Sequence, residues 1–220
     1  PSSGNLGAKE SFMWMLRNVE AEYYMFCDHD DVWLPKKVEL TLKRMQEAET
    51  EHSGSPVIAC TNLKLVDAKL NVFAESYWKF RHYPMSVFTD KYYHLFYNNM
   101  PGCTMMLNRE AKAVCFPYSD KIVMHDAWFA TAVLWNKGFV VAEPEPLMLY
   151  RQHESNTLGA GDKKNSCLNY KLRNFNVLLQ QNKIMYALAR YFGYGSWLKF
   201  IFYKVMYKWQ LHKARRAGKQ

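Results

Sequence analysis

Three carboxylates and an imidazole crowd the segment Cys27-Asp28-His29-Asp30-Asp31, directly after the apolar run Tyr23-Tyr24-Met25-Phe26. Adjacent carboxylates repel one another, so such a cluster costs stability unless a cation balances it. Oxygen ligands of this kind suit Mg²⁺ or Mn²⁺, which take one or two carboxylates together with phosphate oxygens. A structural reading stands beside the metal-binding one. In it Asp31 caps the helix that follows and Asp28 pairs with Lys36 or Lys37.

The surrounding pattern shows what must position the cluster. Phe12, Met15, Leu16 and Val19 have helical spacing within Leu6–Val19, and Tyr23–Cys27 reads as a short strand buried on both faces. A helix begins near Pro35, carries Val38, Leu40, Leu42 and Met45, and runs to about His52. Ser53-Gly54-Ser55-Pro56 stops it before a second apolar run, Val57–Cys60. This β-α-β order predicts a parallel sheet with helical crossovers, and it puts the carboxylates at the carboxyl end of a strand, where open α/β sheets bind ligands.

Residues 68–100 are aromatic and irregular, and in part helical. Thr104–Leu107 reads as a strand, Arg109–Val114 as a short helix, and His125–Asn136 as a helix closed by Gly138 at its C-terminal cap. Phe139–Ala142 and Leu147–Tyr150 read as two strands parted by Pro144 and Pro146. Helices are expected over about Leu168–Tyr191 and Trp197–Arg215, separated by Gly193-Tyr194-Gly195.

The 220 residues, 49% hydrophobic, suffice for a full core. An aromatic content of 16% suits a carbohydrate-handling or a membrane-facing surface. Five cysteines, odd in number and never in a C-x-x-C pair, indicate neither a disulfide framework nor a zinc site, and read as reduced thiols of a cytoplasmic chain. The net charge of +9 is unevenly spread. Lys163–Gln220 holds 13 Lys or Arg and no Asp or Glu, so the remainder is an acidic body. That split argues against a nucleic-acid partner, whose phosphates need a basic groove on the body. A metal-dependent phosphohydrolase would need a second dense set of metal ligands, which is not seen.

The stretch Asp28-His29-Asp30-Asp31-Val32-Trp33-Leu34-Pro35-Lys36-Lys37 resembles the D-x-D-D-x-W-x-P-x-K signature of family 2 glycosyltransferases with the GT-A fold, above all their rhamnosyltransferase-like branch. Gly4-Asn5-Leu6-Gly7 is similar to the N-x-G turn upstream of that strand. His125-Asp126-Ala127-Trp128 resembles the family's H-D-x-W, and Tyr150-Arg151-Gln152-His153-Glu154-Ser155-Asn156 its Y-R-Q-H-x-x-N segment. Gly102-Cys103-Thr104 looks like the loop and strand of the acceptor side. The motifs occur in the family's order over roughly Gly4 to Gly161.

The resemblance implies an α/β fold of GT-A, Rossmann-like type, with a mostly parallel sheet flanked by helices over 1–161 and a helical basic extension over 162–220. It implies inverting transfer of a sugar such as rhamnose from a nucleotide-sugar donor to a glycan or lipid-linked acceptor in cell-surface polysaccharide synthesis. Asp28 and Asp30 would hold a Mg²⁺ or Mn²⁺ ion against the donor diphosphate, Asp30 more directly, with His153 completing the shell and Arg151 on the phosphates. Asp126 would be the general base, a role that can coexist with that of a helix N-cap. Gly102, Cys103 and Trp128 would line the acceptor side, Trp128 serving there or in the core. Family members begin with a nucleoside-binding part whose pattern is not found here, so the expectation is a chain that lacks it and is poorly active alone.

The tail reads as an amphipathic helix. Trp197, Ile201, Val205 and Trp209 share one stripe with Leu198, Phe202 and Met206 beside it, and Lys204 and Lys208 lie on another side. The expectation is peripheral contact with the inner leaflet of the plasma membrane, against an ordinary packing helix with a solvated basic face.

Overall fold

The computed structural model describes residues 4, 6–83, 89–94, 96, 100–120, 122, 124–152 and 175–217. Helix α1 (Gly7–Asn18) leads to strand β1 (Tyr23–Met25), a short β2 (Val32–Trp33) and helix α2 (Lys37–Glu51). Strands β3 (Val57–Val66) and β4 (Val72–Ala74) follow, then helices α3 (Tyr77–Arg81) and α4 (Lys91–His94). A 3₁₀ turn (Gly102–Thr104) precedes β5 (Met105–Asn108), α5 (Arg109–Val114), α6 (His125–Trp135) and β6 (Phe139–Arg151). Helices α7 (Phe175–Tyr191) and α8 (Trp197–Ala217) close the chain.

The near-continuous apolar sequence of β3 demands burial on both faces, and alternation along the strand divides the work. Val57 and Ala59 face α2 through Met45 and Ala48, while Ile58 and Cys60 face the larger core that contains Met13 and Leu16 of α1 and Phe129 and Val133 of α6. The fold is therefore α/β, with helices on both sides of one sheet.

The sheet order is β1-β5-β3-β6-β2, with β4 paired to β3. Only β3 and β6 pair in parallel among the described strands; the other pairings are antiparallel. This differs from the mostly parallel sheet expected. The β1-α2-β3 crossover does leave β1 and β3 pointing the same way, but β5 inserts between them and runs against both. Local periodicity reports burial and leaves open which strands are neighbours.

Two other expectations change. Pro144 and Pro146 do not split the last strand: β6 continues through them, and the ladder absorbs the missing donors as register shifts around Asn62. Asn62 Nδ2 bridges the break, donating to the Pro144 carbonyl at 3.1 Å. At the end of α6 the left-handed residue is Lys137, with φ of 60°, not Gly138. Gly138 is required instead by close approach, since a Cβ there would collide with the Pro56 carbonyl and with Val133.

The C-terminal helices pack on the body through a second, aromatic core of Phe96, Tyr194, Phe200 and Tyr207, edged by Tyr92, Trp135 and Tyr203. The division expected at 161/162 lies outside the described residues. Cys60, Cys103 and Cys115 are free and buried, and Cys27 is free and exposed.

Asn108 ties the layers together. Its Oδ1 accepts from Ala111 N–H, capping α5, and from Val57 N–H, both at 2.9 Å, and its Nδ2 donates to Glu49 and to the Ser55 carbonyl, both at 3.0 Å. Asn108→Ala strips a cap and leaves a buried N–H unpaired, so it lowers unfolding free energy by about 2–4 kcal/mol in urea titration. A loss below about 0.5 kcal/mol would show that this network adds nothing net.

Candidate functional site

Because β1, β3 and β6 share a direction and β5 opposes them, the ends of β1 and β6 and the start of β5 meet at one rim of the sheet. Asp28 follows β1, Arg151 ends β6, and the Gly102–Thr104 turn precedes β5. Asp31 arrives through β2, whose Val32 lies opposite Leu149 of β6.

Asp28, Asp31 and Cys103 converge, with one ligand atom of each lying within 4.8 Å of the others. Asp31 thus joins Asp28 at this point, and Asp30, in the turn at 29–30, lies near enough to add its charge to both carboxylates. Asp31 is not a helix cap, for α2 has Lys36 at its N-cap position and no side-chain cap bond. Its Oδ1 accepts instead from Arg151 N–H at 3.0 Å. Its Oδ2 is buried with no hydrogen-bond partner among the described residues.

Burial pushes the Asp31 carboxyl up to about 6, with the Asp28 and Asp30 charges adding to it and the Arg151 N–H and the Cys103 thiol opposing. Burial likewise raises Asp28, reinforced by Asp30 and Asp126. Cys103 is raised far above an ordinary thiol by burial and then by these carboxylates, so it stays neutral. Two hard carboxylates with an unused oxygen and a neutral thiol form a donor set that fits Mg²⁺ or Mn²⁺ through the carboxylates alone.

Sequence reasoning considered Lys37 only as a partner for Asp28. It is fully buried, with its Nζ 3.5 Å from Thr61 Oγ1 and 5.1 Å from the centroid of the Trp33 ring. Burial pulls it down to about 8, and the nearby Asp31 charge opposes that fall. A buried ammonium near the carboxylates supplies part of their counter-charge. The signal was the closing lysine of the D-x-D-D-x-W-x-P-x-K pattern.

Asp126 lies in the first turn of α6, which has Met124 at its N-cap position and no side-chain cap bond. Its Oδ2 accepts from Gly102 N–H at 3.1 Å and its Oδ1 from Ala127 N–H at 2.7 Å. His125 packs among Phe12, Phe26 and Phe129, with ring centroids at 4.4, 5.8 and 5.6 Å. Burial lowers its pKa, so the ring stays neutral. A Cβ at Gly102 would stand 2.6 Å from His125 Nε2, so only glycine can present its N–H to Asp126 here.

The rim thus unites Asp28, Asp31, Gly102, Cys103 and Asp126 with the backbone of Arg151. Trp128 does not join them. It is buried in the core, its indole N–H donating to the Cys115 carbonyl at 2.8 Å and its rings packed on Tyr191 and Phe192. His153 lies outside the described residues.

The chain is 27% identical over 168 residues to the dTDP-rhamnosyl transferase RfbG of Shigella flexneri, an alignment covering 70% of this chain and 52% of that protein. The chain therefore spans about half the length of the curated relative it matches. No family model matches. The match supports a glycosyltransferase-like relationship.

Two outcomes follow from the geometry. The folded Asp31 carboxyl titrates near 6 and the unfolded one near 3.8. The folded state therefore binds this proton more tightly, and that stabilisation, complete below the unfolded value, is lost as pH rises through about 6. Asn keeps the acceptor for Arg151 N–H without titrating. In EDTA, the stability of the native chain relative to Asp31→Asn falls by about 1 kcal/mol from pH 4 to pH 7, after allowance for partial exposure. A pH-independent difference would contradict the assignment. Gly102→Ala costs about 1–3 kcal/mol by overpacking, and much less in a His125→Ala background. Equal cost in both backgrounds would mean that the imidazole is not the obstacle.

Proposed function

We propose that the chain is the catalytic part of a glycosyltransferase that moves a sugar from a nucleotide-sugar donor to a glycan or lipid-linked acceptor with inversion, on a GT-A-like fold. The observation that carries this reading is the convergence of Asp126, aimed by the Gly102 N–H, with the desolvated pair Asp28 and Asp31 on one sheet rim. The relative's name makes dTDP-linked rhamnose the donor to test first.

Each residue has a chemical task in this reading. Asp126 takes the proton of the acceptor hydroxyl as that oxygen attacks the anomeric carbon, opposite the departing diphosphate. Its two hydrogen bonds fix the carboxylate and leave lone pairs for the proton. Arg151 spends its backbone N–H on Asp31 and offers its guanidinium to the diphosphate. Asp28 and Asp31 would hold a divalent ion, with Asp30 and His153 near them in the chain. When bound, such an ion offsets the charge that develops on the leaving diphosphate.

The test uses the protein that carries this chain. Mn²⁺ with dTDP-rhamnose raises its unfolding temperature, and Asp28→Asn combined with Asp31→Asn removes the Mn²⁺-dependent part of that rise. Asp126→Asn lowers transfer about 10²- to 10⁴-fold while leaving the thermal shift in place. A shift produced by DNA and by no nucleotide-sugar, or full transfer by Asp126→Asn, would overturn the proposal.

A further inference from the structure

Helix α8 has two apolar faces. The inner one buries Phe200 and Tyr207 against the aromatic core, with Tyr203 and Leu211 beside them. On the opposite side Leu198, Phe202, Val205 and Trp209, spaced by four, three and four residues, are 79, 58, 59 and 56% exposed. Ile201 and Trp197 border this line. At about 1.5 Å per residue the stripe is roughly 16 Å long. Single exposed apolar side chains are ordinary, but a contiguous stripe of large ones marks a surface made for an apolar neighbour.

The exposed line lies within the face expected, centred toward Leu198 and Phe202. Periodicity points to Trp197, Ile201, Val205 and Trp209 with Leu198, Phe202 and Met206 beside them, and Lys204 and Lys208 on another side. The two lysines part company: Lys204 turns inward to Asn182 and the Phe200 ring, whereas Lys208 is exposed. Exposed Lys208 and Lys213 flank the apolar line on its two sides, with the Lys213 ammonium 5.7 Å from the Trp209 ring centroid. Arg215 and Arg216 are exposed at its end.

We infer that this face of α8 docks on an anionic phospholipid bilayer, with the helix lying in the plane of the interface. The choice of occupant rests on charge. Aliphatic and aromatic side chains bordered by long cations match the boundary between acyl chains and acidic headgroups. A second copy of the chain would press cation against cation, because Lys163–Gln220 contains 13 Lys or Arg and no acidic residue. Among the described residues no helix is long and apolar enough to cross a membrane, and α8 is interrupted by lysines as an in-plane helix can be. The inference does not depend on the chemistry at the carboxylate rim.

Flotation of the full chain with vesicles tests it. The native chain floats with mixed phosphatidylglycerol and phosphatidylcholine vesicles, does so less as salt is raised, and floats far less with phosphatidylcholine alone. Phe202→Ser combined with Trp209→Ser lowers the partition coefficient at least about tenfold, while Phe73→Ser with Phe80→Ser, an exposed aromatic pair elsewhere, leaves it unchanged. Circular dichroism checks that each variant is folded. If the α8 variant does not fold, Lys208→Glu with Lys213→Glu replaces it and must also weaken binding to the acidic vesicles. Equal partitioning of native and α8 variants, or equal loss in the Phe73 and Phe80 variant, overturns the inference. So does a concentration-dependent dimer abolished by the α8 substitutions in a chain that binds no vesicle.

Discussion

Strand β3 has almost no exposed side chain, and covering it dictates the rest of the arrangement. One face takes α2 and the other takes α1 and α6; one edge takes β5 and the other takes β6. Once β5 and β6 are fixed on either side of β3, the turn before β5 and the end of β6 must share a rim, and β1 delivers Asp28 to it. Site and core are consequences of one burial requirement, and a fault in β3 is felt at both.

The rim runs against the preferences of an ordinary fold. Asp28 and Asp31 are held close together in partial burial, and one Asp31 oxygen stays unpaired among the described residues. Lys37 lies buried beneath with only long contacts. Each of these choices costs stability, and buried groups of perturbed ionisation gather where chemistry is done. The aromatic interior around His125 and the four hydrogen bonds of Asn108 supply rigidity elsewhere.

Local elements were legible because their signals are local. Helix α2 begins beside Pro35, ends at Ser53-Gly54-Ser55, and carries its periodic apolar residues between them. The carboxylate cluster was legible as charge following an apolar run. What sequence could not show was pairing in space. No periodicity announces that β5 lies between β1 and β3, and a two-residue strand such as Val32–Trp33 is too short to alternate. The arrival of Asp31 beside Asp28 follows from that strand, since its pairing with β6 sets the preceding carboxylate against the Arg151 N–H. For α8, which carries large apolar residues on two sides, the sequence held no hint of which side the aromatic core would claim. Trp128 fell on the core side because α7 comes over it, a contact far away in the chain.

The close space between Gly102 and His125 reaches further than its size suggests. The imidazole occupies the space a side chain at residue 102 would need, and Phe12, Phe26 and Phe129 set where the imidazole rests. The aim of the rim is inherited from an aromatic box one layer inside it. A substitution among these phenylalanines would therefore be felt at the Gly102–Asp126 hydrogen bond without touching either residue.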